Sequence, residues 1–479
     1  MRSAEHAQVA GTRQIGTYFP HGIHMRKLAS PWIRTLQAVS ILLLTGCSTY
    51  RPWINAPYPH QPRAELAAEQ HQPKSVMVAV TLSGGGARAA AFGLGVLREL
   101  KAQEFKIGER TTTLLDETVL ISGVSGGSIL AAHYAAFGDA TLQRFEPEFL
   151  LTPFESRLIR DVFWPGELYT LTSPWYGRTQ LLMDRLDKLY EGKTFADARR
   201  RPGAPDLMIT ATDLTTGAPF NFTSEQFQLI CSDLDATPLS FAVAASSAVP
   251  LLLSPVAIHN YADQCPDVKA SVLQPASGYR AHILRRSAVS YRNAKERPYI
   301  HLVDGGVSDN LGVRLLLDQM TAVGSMGANF PEAKAGSIHR LVLVTVNSAR
   351  ALAERVDKSD QVPTIPQVLE TLIFGAGTRD SQQTLAMLND DLQRWRNEIQ
   401  RTRGLPGSPF AADCEVYVVS VSLNDVDDDS FRYRLLRVPT AFTVEAQDVR
   451  DLQQAGSEAV RKSPAYQELV ESLKALAPP

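Results

Sequence analysis

Gly123-Val-Ser-Gly-Gly127 sets one serine hydroxyl among small residues, directly after the apolar run 119–121. A strand that stops there and turns at once into a helix pushes Ser125 Oγ clear of the backbone, the geometry of a nucleophile elbow. Upstream, Ser-Gly-Gly-Gly-Ala-Arg at 83–88 lies between a β-branched run (75–82) and a helical pattern carrying Phe92, Val96, Leu97 and Leu100. The backbone N–H groups of Gly84, Gly85 and Gly86 would form a nest for negative charge at that helix N-terminus. Arg88 adds a fixed cation beside it, and the N–H of Gly126 follows the serine directly. Downstream, Asp304 ends the run 299–303 and precedes Gly305 and Gly306. A carboxylate there stands at the strand edge where open α/β sheets keep their sites. Within hydrogen-bond reach of Ser125 it could take the hydroxyl proton directly, while the glycine nest holds the oxyanion of an acyl transfer.

Gly-Gly-Gly-Ala-Arg, then Gly-Val-Ser-Gly-Gly, then Asp-Gly-Gly, in that order, resembles the patatin-like phospholipase family. Two further stretches fit it, 211–217 (Ala-Thr-Asp-Leu-Thr-Thr-Gly) and 244–250 (Ala-Ala-Ser-Ser-Ala-Val-Pro), and the similarity covers roughly residues 76–320. The resemblance implies a lipid acyl hydrolase with a Ser–Asp dyad and no catalytic histidine. Ser125 is then the nucleophile and Asp304 the base, with Gly84, Gly85, Gly86 and Arg88 as the oxyanion loop, joined by Gly126. It implies a three-layer α/β/α fold with a mainly parallel central sheet, a phospholipid or other acyl ester as substrate, and no metal or other cofactor.

The elements around these motifs agree with that layout. Residues 76–137 read as strand–helix–strand–helix, consistent with parallel pairing and right-handed crossovers. Strands are expected at 207–212, 341–346 and 415–421, a long amphipathic helix at 380–400, a final helical region at 443–473, and a polar, irregular excursion at 259–297. The chain divides into a catalytic domain at 76–349, with 138–206 read as a cap, and an α/β extension packed on the core at 350–479. Hydrophobic content of 44% with 20% charge describes a protein with a real core, and a formal net charge of −2 argues against nucleic acid as a partner and against general attraction to anionic lipid.

Membrane association is expected instead from the N-terminus. Met25-Arg-Lys-Leu28 and Arg34 form a basic region, 38–44 is apolar but too short to span a bilayer, and Leu44-Thr-Gly-Cys47 resembles a bacterial lipobox. Residues 25–46 then act as a lipoprotein signal peptide, Cys47 carries lipid as the mature N-terminus, and 1–24 is a mis-called start. Residues 47–75, rich in Pro, Ala, Gln and His, read as a tether. Ser48 is not an inner-membrane retention acid, so an exported protein on the outer membrane, at its periplasmic or surface face, is expected. Of the remaining cysteines, Cys231 and Cys265 form the better-spaced pair, against an alternative of three buried thiols with Cys414.

Other readings compete. An α/β-hydrolase triad needs the order Ser…Asp…His, which Ser125, Asp304 and His339 obey, although His339 opens an apolar run where a triad histidine would follow one. Asp213 is a rival base, in a context that reads as a side-chain-capped turn. Gly84-x-Gly86-x-x-Ala89 matches a dinucleotide fingerprint with Glu104 as its acid, but leaves Ser125 and Asp304 unexplained. A non-catalytic lipid-binding lipoprotein would not need nucleophile, base and oxyanion loop together. Asp425 and 427–429 lack the alternating spacing of a calcium loop.

Overall fold

Among the described residues, runs of β-branched and aliphatic residues supply ten strands: β1 (Val76–Leu82), β2 (Glu104–Ile107), β3 (Arg110–Thr113), β4 (Thr118–Val124), β5 (Asp206–Asp213), β6 (Pro219–Phe222), β7 (Val256–His259), β8 (Tyr299–Asp304), β9 (Ile338–Asn347) and β10 (Phe410–Ser422). The computed structural model describes residues 53–59, 74–156, 176–348 (except 266, 269, 275–277 and 323), 360–364, 368, 371 and 376–476. The expected extension, signal peptide and Cys47 lie outside the described residues, as does 157–175 of the expected cap.

The main sheet runs β10-β9-β1-β4-β5-β8-β7, with β6 pairing β5. From β10 to β5 all neighbours are parallel. β8 then enters antiparallel to β5, and β7 antiparallel to β8. The central strands are buried on both faces, which is why they read as nearly continuous apolar runs.

Helices cover both faces. Among them are α1 (Gly86–Ala102), α2 (Gly126–Phe137), α3 (Arg178–Leu189), α4 (Leu239–Ser246), α5 (Tyr279–Tyr291), α6 (Arg314–Ala322), α7 (Ala376–Thr402), α8 (Ala446–Lys462) and α9 (Pro464–Lys474). On one face Val78, Val80 and Leu82 of β1 share a core with Phe92, Leu130, Val449, Leu452 and Leu469. On the other, Leu341 and Leu343 of β9 pack with Leu317, Leu388, Leu392, Trp395 and Ile399. This is the three-layer α/β/α arrangement with a mainly parallel sheet. α1 and α8 cross at backbone distance: a Cβ on Gly95 would overlap the Gln453 carbonyl, and one on Gly456 the Phe92 carbonyl. The crossing therefore tolerates only glycine on either side.

Several local expectations change. A β2–β3 hairpin interrupts the strand–helix–strand–helix run after α1. The stretch 259–297, read as irregular, contains the helix α5; polar and basic residues interrupt its apolar positions, and only Ala281, Ala288 and Tyr291 are buried. In the tether, 53–59 docks on the domain instead of hanging free: Tyr58 N–H donates to Cys231 O at 2.8 Å, and Asn55 donates to Ser232 Oγ and His259 O at 2.9 Å each. Trp53 packs on the rings of His259 and Tyr299. In the region read as a cap, the described flanks build core: Phe145, Phe149, Leu182, Leu186, Tyr190 and Phe195 are buried in it. Cys231 and Cys265 are disulfide-bonded, with Cα atoms 6.0 Å apart, and Cys414 is a buried free thiol.

Candidate active site

β4 ends at Val124 and α2 begins at Gly126, so Ser125 alone makes the turn. Its φ is 48°, a conformation that L residues adopt only at some cost. The surroundings hold it there. Ser125 N–H donates to Ser246 Oγ at 2.8 Å, and Ser246 Oγ–H donates in turn to Thr210 O at 2.6 Å. Ser125 O accepts from Ser128 N–H at 2.9 Å and from its hydroxyl at 2.5 Å. Strand β5 and helix α4 thus fix the main chain of the elbow while its side chain stays 8% exposed.

Parallel register brings the glycine loop to the same edge. Leu82 pairs Gly123, so the chain leaving β1 passes beside the elbow. A Cβ on Gly126 would overlap the Gly86 backbone, and a Cβ on Gly84 would lie 3.5 Å from Ser125 Cβ. Only bare backbone fits between the two turns. As N-cap or first-turn residues of α1 and α2, Gly85, Gly86 and Gly126 have N–H groups with no intrahelical acceptor. They suit an anion beside Ser125 Oγ. Gly84 differs from expectation: its N–H donates to Asn310 O at 3.0 Å and is spent on the fold. Arg88 is buried, with Nε donating to Ser348 O at 3.1 Å and an Nη donating to Val438 O at 2.7 Å. Its guanidinium ties the loop to the C-terminal part of the chain.

Asp304 reaches the elbow because β8 is reversed. Val124 pairs Thr210 and Ala211 pairs Asp304, so the end of β8 lies level with the end of β4, one strand removed. Oδ1 accepts from Gly306 N–H at 2.8 Å, so Asp304 also caps the one-turn helix at Gly305–Val307. Oδ2 is buried and, among the described residues, has no hydrogen-bond acceptor or donor within ordinary bonding distance. Burial pushes the carboxyl up to about 6, while the Gly306 N–H and the Ser125 hydroxyl pull it down. Strand register sets this carboxyl level with the end of β4.

The rival assignments do not assemble. Arg340 pairs Val76 while Val346 pairs Leu82, so His339 opens β9 at the far end of the sheet. At ~3.3 Å per residue that is roughly 30 Å along the strands from Ser125. There His339 Nδ1 is 2.7 Å from Asp413 Oδ1, which removes the triad reading. His133 is buried on α2 against Thr141 and Glu148, its pKa lowered to about 4 chiefly by burial. Asp213 is satisfied by Arg297 at 2.5 Å, Tyr291 at 3.1 Å, Thr216 at 2.9 Å and the Thr215 N–H at 3.0 Å. Glu104 lies on the separate β2–β3 hairpin, away from any phosphate-binding turn. A cavity of about 780 Å³ lined by Met77, Ala79, Leu341, Leu343 and Trp395 opens on the second face of the sheet and includes neither Ser125 nor Asp304. No group of three or more His, Cys, Asp or Glu side chains suited to a metal occurs among the described residues.

Sequence reasoning missed Ser246, Asn310 and Ser348, all of which act on the site through backbone. Ser246 falls in the 244–250 stretch that had been singled out; Asn310 and Ser348 carry no local signal.

A family model described as patatin-like phospholipase matches residues 80–317. Among solved structures, human GIVD cytosolic phospholipase A2 is similar, at 13% identity over 92% of this chain and 66% of that one, with a TM-score of 0.45. VipD from Legionella pneumophila is similar at 12% identity over 90% and 73%, with a TM-score of 0.29. The chain thus spans just under two thirds of the length of the human enzyme. No curated protein matches it.

Asp304 ionises in the unfolded chain near 3.8 but in the folded protein only near 6. Its burial is thus unopposed below about pH 4 and costs stability as pH rises through 6, approaching about 3 kcal/mol for the two-unit shift. Asp304→Asn is expected to raise the Tm at pH 8 and to leave it unchanged near pH 4; equal Tm shifts at both pH values would contradict the buried carboxylate.

Proposed function

The chain belongs to the patatin-like phospholipase family through residues 80–317, and from that membership we propose a serine-dependent lipid acyl hydrolase in which Ser125 and Asp304 work as a dyad. The observation that carries the reading is the strained Ser125 turn with a buried, proton-hungry carboxylate at its side and no described histidine beside either. The substrate class is phospholipid, lysophospholipid or another carboxylic ester of a fatty acid.

In the first step Asp304 accepts the Ser125 hydroxyl proton as Oγ attacks the ester carbonyl carbon. Negative charge moves to the carbonyl oxygen, where the N–H groups of Gly85, Gly86 and Gly126 receive it. Collapse breaks the bond to the leaving alcohol, which takes the proton from Asp304, and an acyl-serine remains. Asp304 then takes a proton from water as that water attacks the acyl carbon. The second collapse returns the proton to Ser125 and releases the fatty acid. A carboxylate with its ordinary pKa would be a feeble base near neutrality; burial raises it toward the working range. Arg88, held by two carbonyls, positions the glycine loop and has no direct part in the proton transfers.

Export on a lipid anchor at Cys47 belongs to the same proposal, with the protein resident on the outer membrane; the lipobox pattern supports it. No helix among the described residues is long and apolar enough to cross a membrane.

Ser125→Ala and Asp304→Asn should each lower kcat/KM on a medium-chain p-nitrophenyl ester by about a thousandfold or more, since the pair acts as a unit. His339→Ala should retain wild-type turnover in the same assay, and its loss would restore the triad. The pH profile of kcat/KM should rise with a slope of one and level off above about 6, following ionisation of Asp304; an inflection near 7.5 would point to a different base. Metabolic labelling with a radioactive fatty acid should mark the wild-type chain and not Cys47→Ala, and label in both would dismiss the anchor.

A further inference from the structure

Asp304 donates its own N–H to Ala248 O at 2.9 Å. From Ala248 the chain runs through Val249 and Pro250 into a tight excursion, closed by Leu253 N–H donating to Val249 O at 2.9 Å. Leu251 and Leu252 form its tip, 56% and 66% exposed. Leu251 has a φ of 72°, which is costly for a branched side chain. The excursion is clamped from outside: Arg178 donates to Leu251 O at 2.7 Å and Thr179 Oγ1 to Ser254 O at 2.5 Å. No charged residue occurs between 244 and 262. A strained, braced turn that holds two leucines in water does nothing for the core.

Other exposed apolar side chains share this end of the sheet. Val307 follows Asp304 by three residues. Leu214 extends past the end of β5 and donates its N–H to His301 O at 2.8 Å. Tyr299 begins β8, paired with His259. Because β8 is antiparallel to β5, its start projects beyond the edge that carries Ser125. The docked segment 53–59 packs Trp53 onto Tyr299, so the chain arriving from its N-terminal side reaches the domain at this same end.

Resting on the reading of the chain as a lipid acyl hydrolase, we infer that this end is its membrane-docking face, with the Leu251–Leu252 tip entering the outer acyl layer of a phospholipid surface beside the reacting ester. The occupant is a lipid surface because two exposed leucines form the tip of a stretch with no charged residue of its own, on the loop that also holds the base. A net charge of −2 gives little electrostatic attraction, so apolar insertion must supply the contact.

The test uses the full chain in phosphatidylcholine vesicles with an environment-sensitive fluorophore on Leu252→Cys. Lys334→Cys, exposed ahead of β9 at the opposite end of the sheet, is the control. The label at 252 should shift to the blue and be quenched by brominated acyl chains, and the label at 334 should do neither. In unlabelled protein, Leu252→Asp should lower turnover of vesicle phospholipid about tenfold while a dissolved short-chain ester is hydrolysed within about twofold of wild type. A water-like, unquenched label at 252, or unchanged vesicle turnover in Leu252→Asp, overturns the docking face. If the wild type cleaves neither substrate, the hydrolase reading fails, and the quenching result still decides docking by itself.

Discussion

The site depends on a carboxylate kept out of water. In the proposed dyad Asp304 must stay ionisable near neutrality yet basic enough to draw a proton from a serine, and desolvation is the device that achieves both. The reversal of β8 serves that requirement. Running β8 backwards brings Asp304 down to the level of Ala211, under Ala248 and against the elbow. Gly305 is forced by the same packing, since a Cβ there would overlap the Thr210 carbonyl. The Gly306 N–H supplies one hydrogen bond to the carboxylate, enough to orient it without returning it to an ordinary acid.

The proposed oxyanion loop has a different dependence. Its glycines belong to the stretch matched by the family model, and Asn310 within that stretch holds Gly84, but further ties come from beyond residue 317. Ser348 Oγ–H donates to Gly84 O at 3.0 Å, and Arg88 is bound by the carbonyls of Ser348 and Val438. The N–H of Ala87 donates to Ala441 O at 2.7 Å, and a Cβ on Gly86 would overlap the same carbonyl. β9 and β10 extend the sheet on this side, and α8 packs on α1. The C-terminal third thus braces the loop between β1 and α1 directly, through Ser348, Val438 and Ala441.

What could be read from the sequence follows from how local each cause is. The elbow, the glycine loop and the aspartate at a strand end each carry their chemistry within about six residues, and all three meet at one edge. The long buried strands β1 and β9 were equally plain, since burial on both faces leaves an unbroken apolar run. The spent N–H of Gly84 was invisible, because its acceptor Asn310 is 226 residues away in the chain. His339 kept the order of a triad, and only strand register places it at the wrong end. Helix α5 escaped because its buried face is three small or isolated residues, too few to make a period. The docking of 53–59 escaped because it rests on backbone hydrogen bonds and one aromatic cluster, and Pro-rich composition resembles a free linker.

The loop 248–254 joins the two halves of this chemistry. Its first residue fixes the main chain of Asp304, its tip faces outward, and α3 braces it from the side. A shift of the tip would be felt at the base through a single hydrogen bond, Asp304 N–H to Ala248 O. Lipid over the tip and an acyl chain in the site would exclude water from the same carboxylate, and exclusion of water is what raises its proton affinity. On the proposed docking, base strength and contact with the substrate's own surface would be coupled: the carboxylate would be most basic when lipid covers the edge beside it.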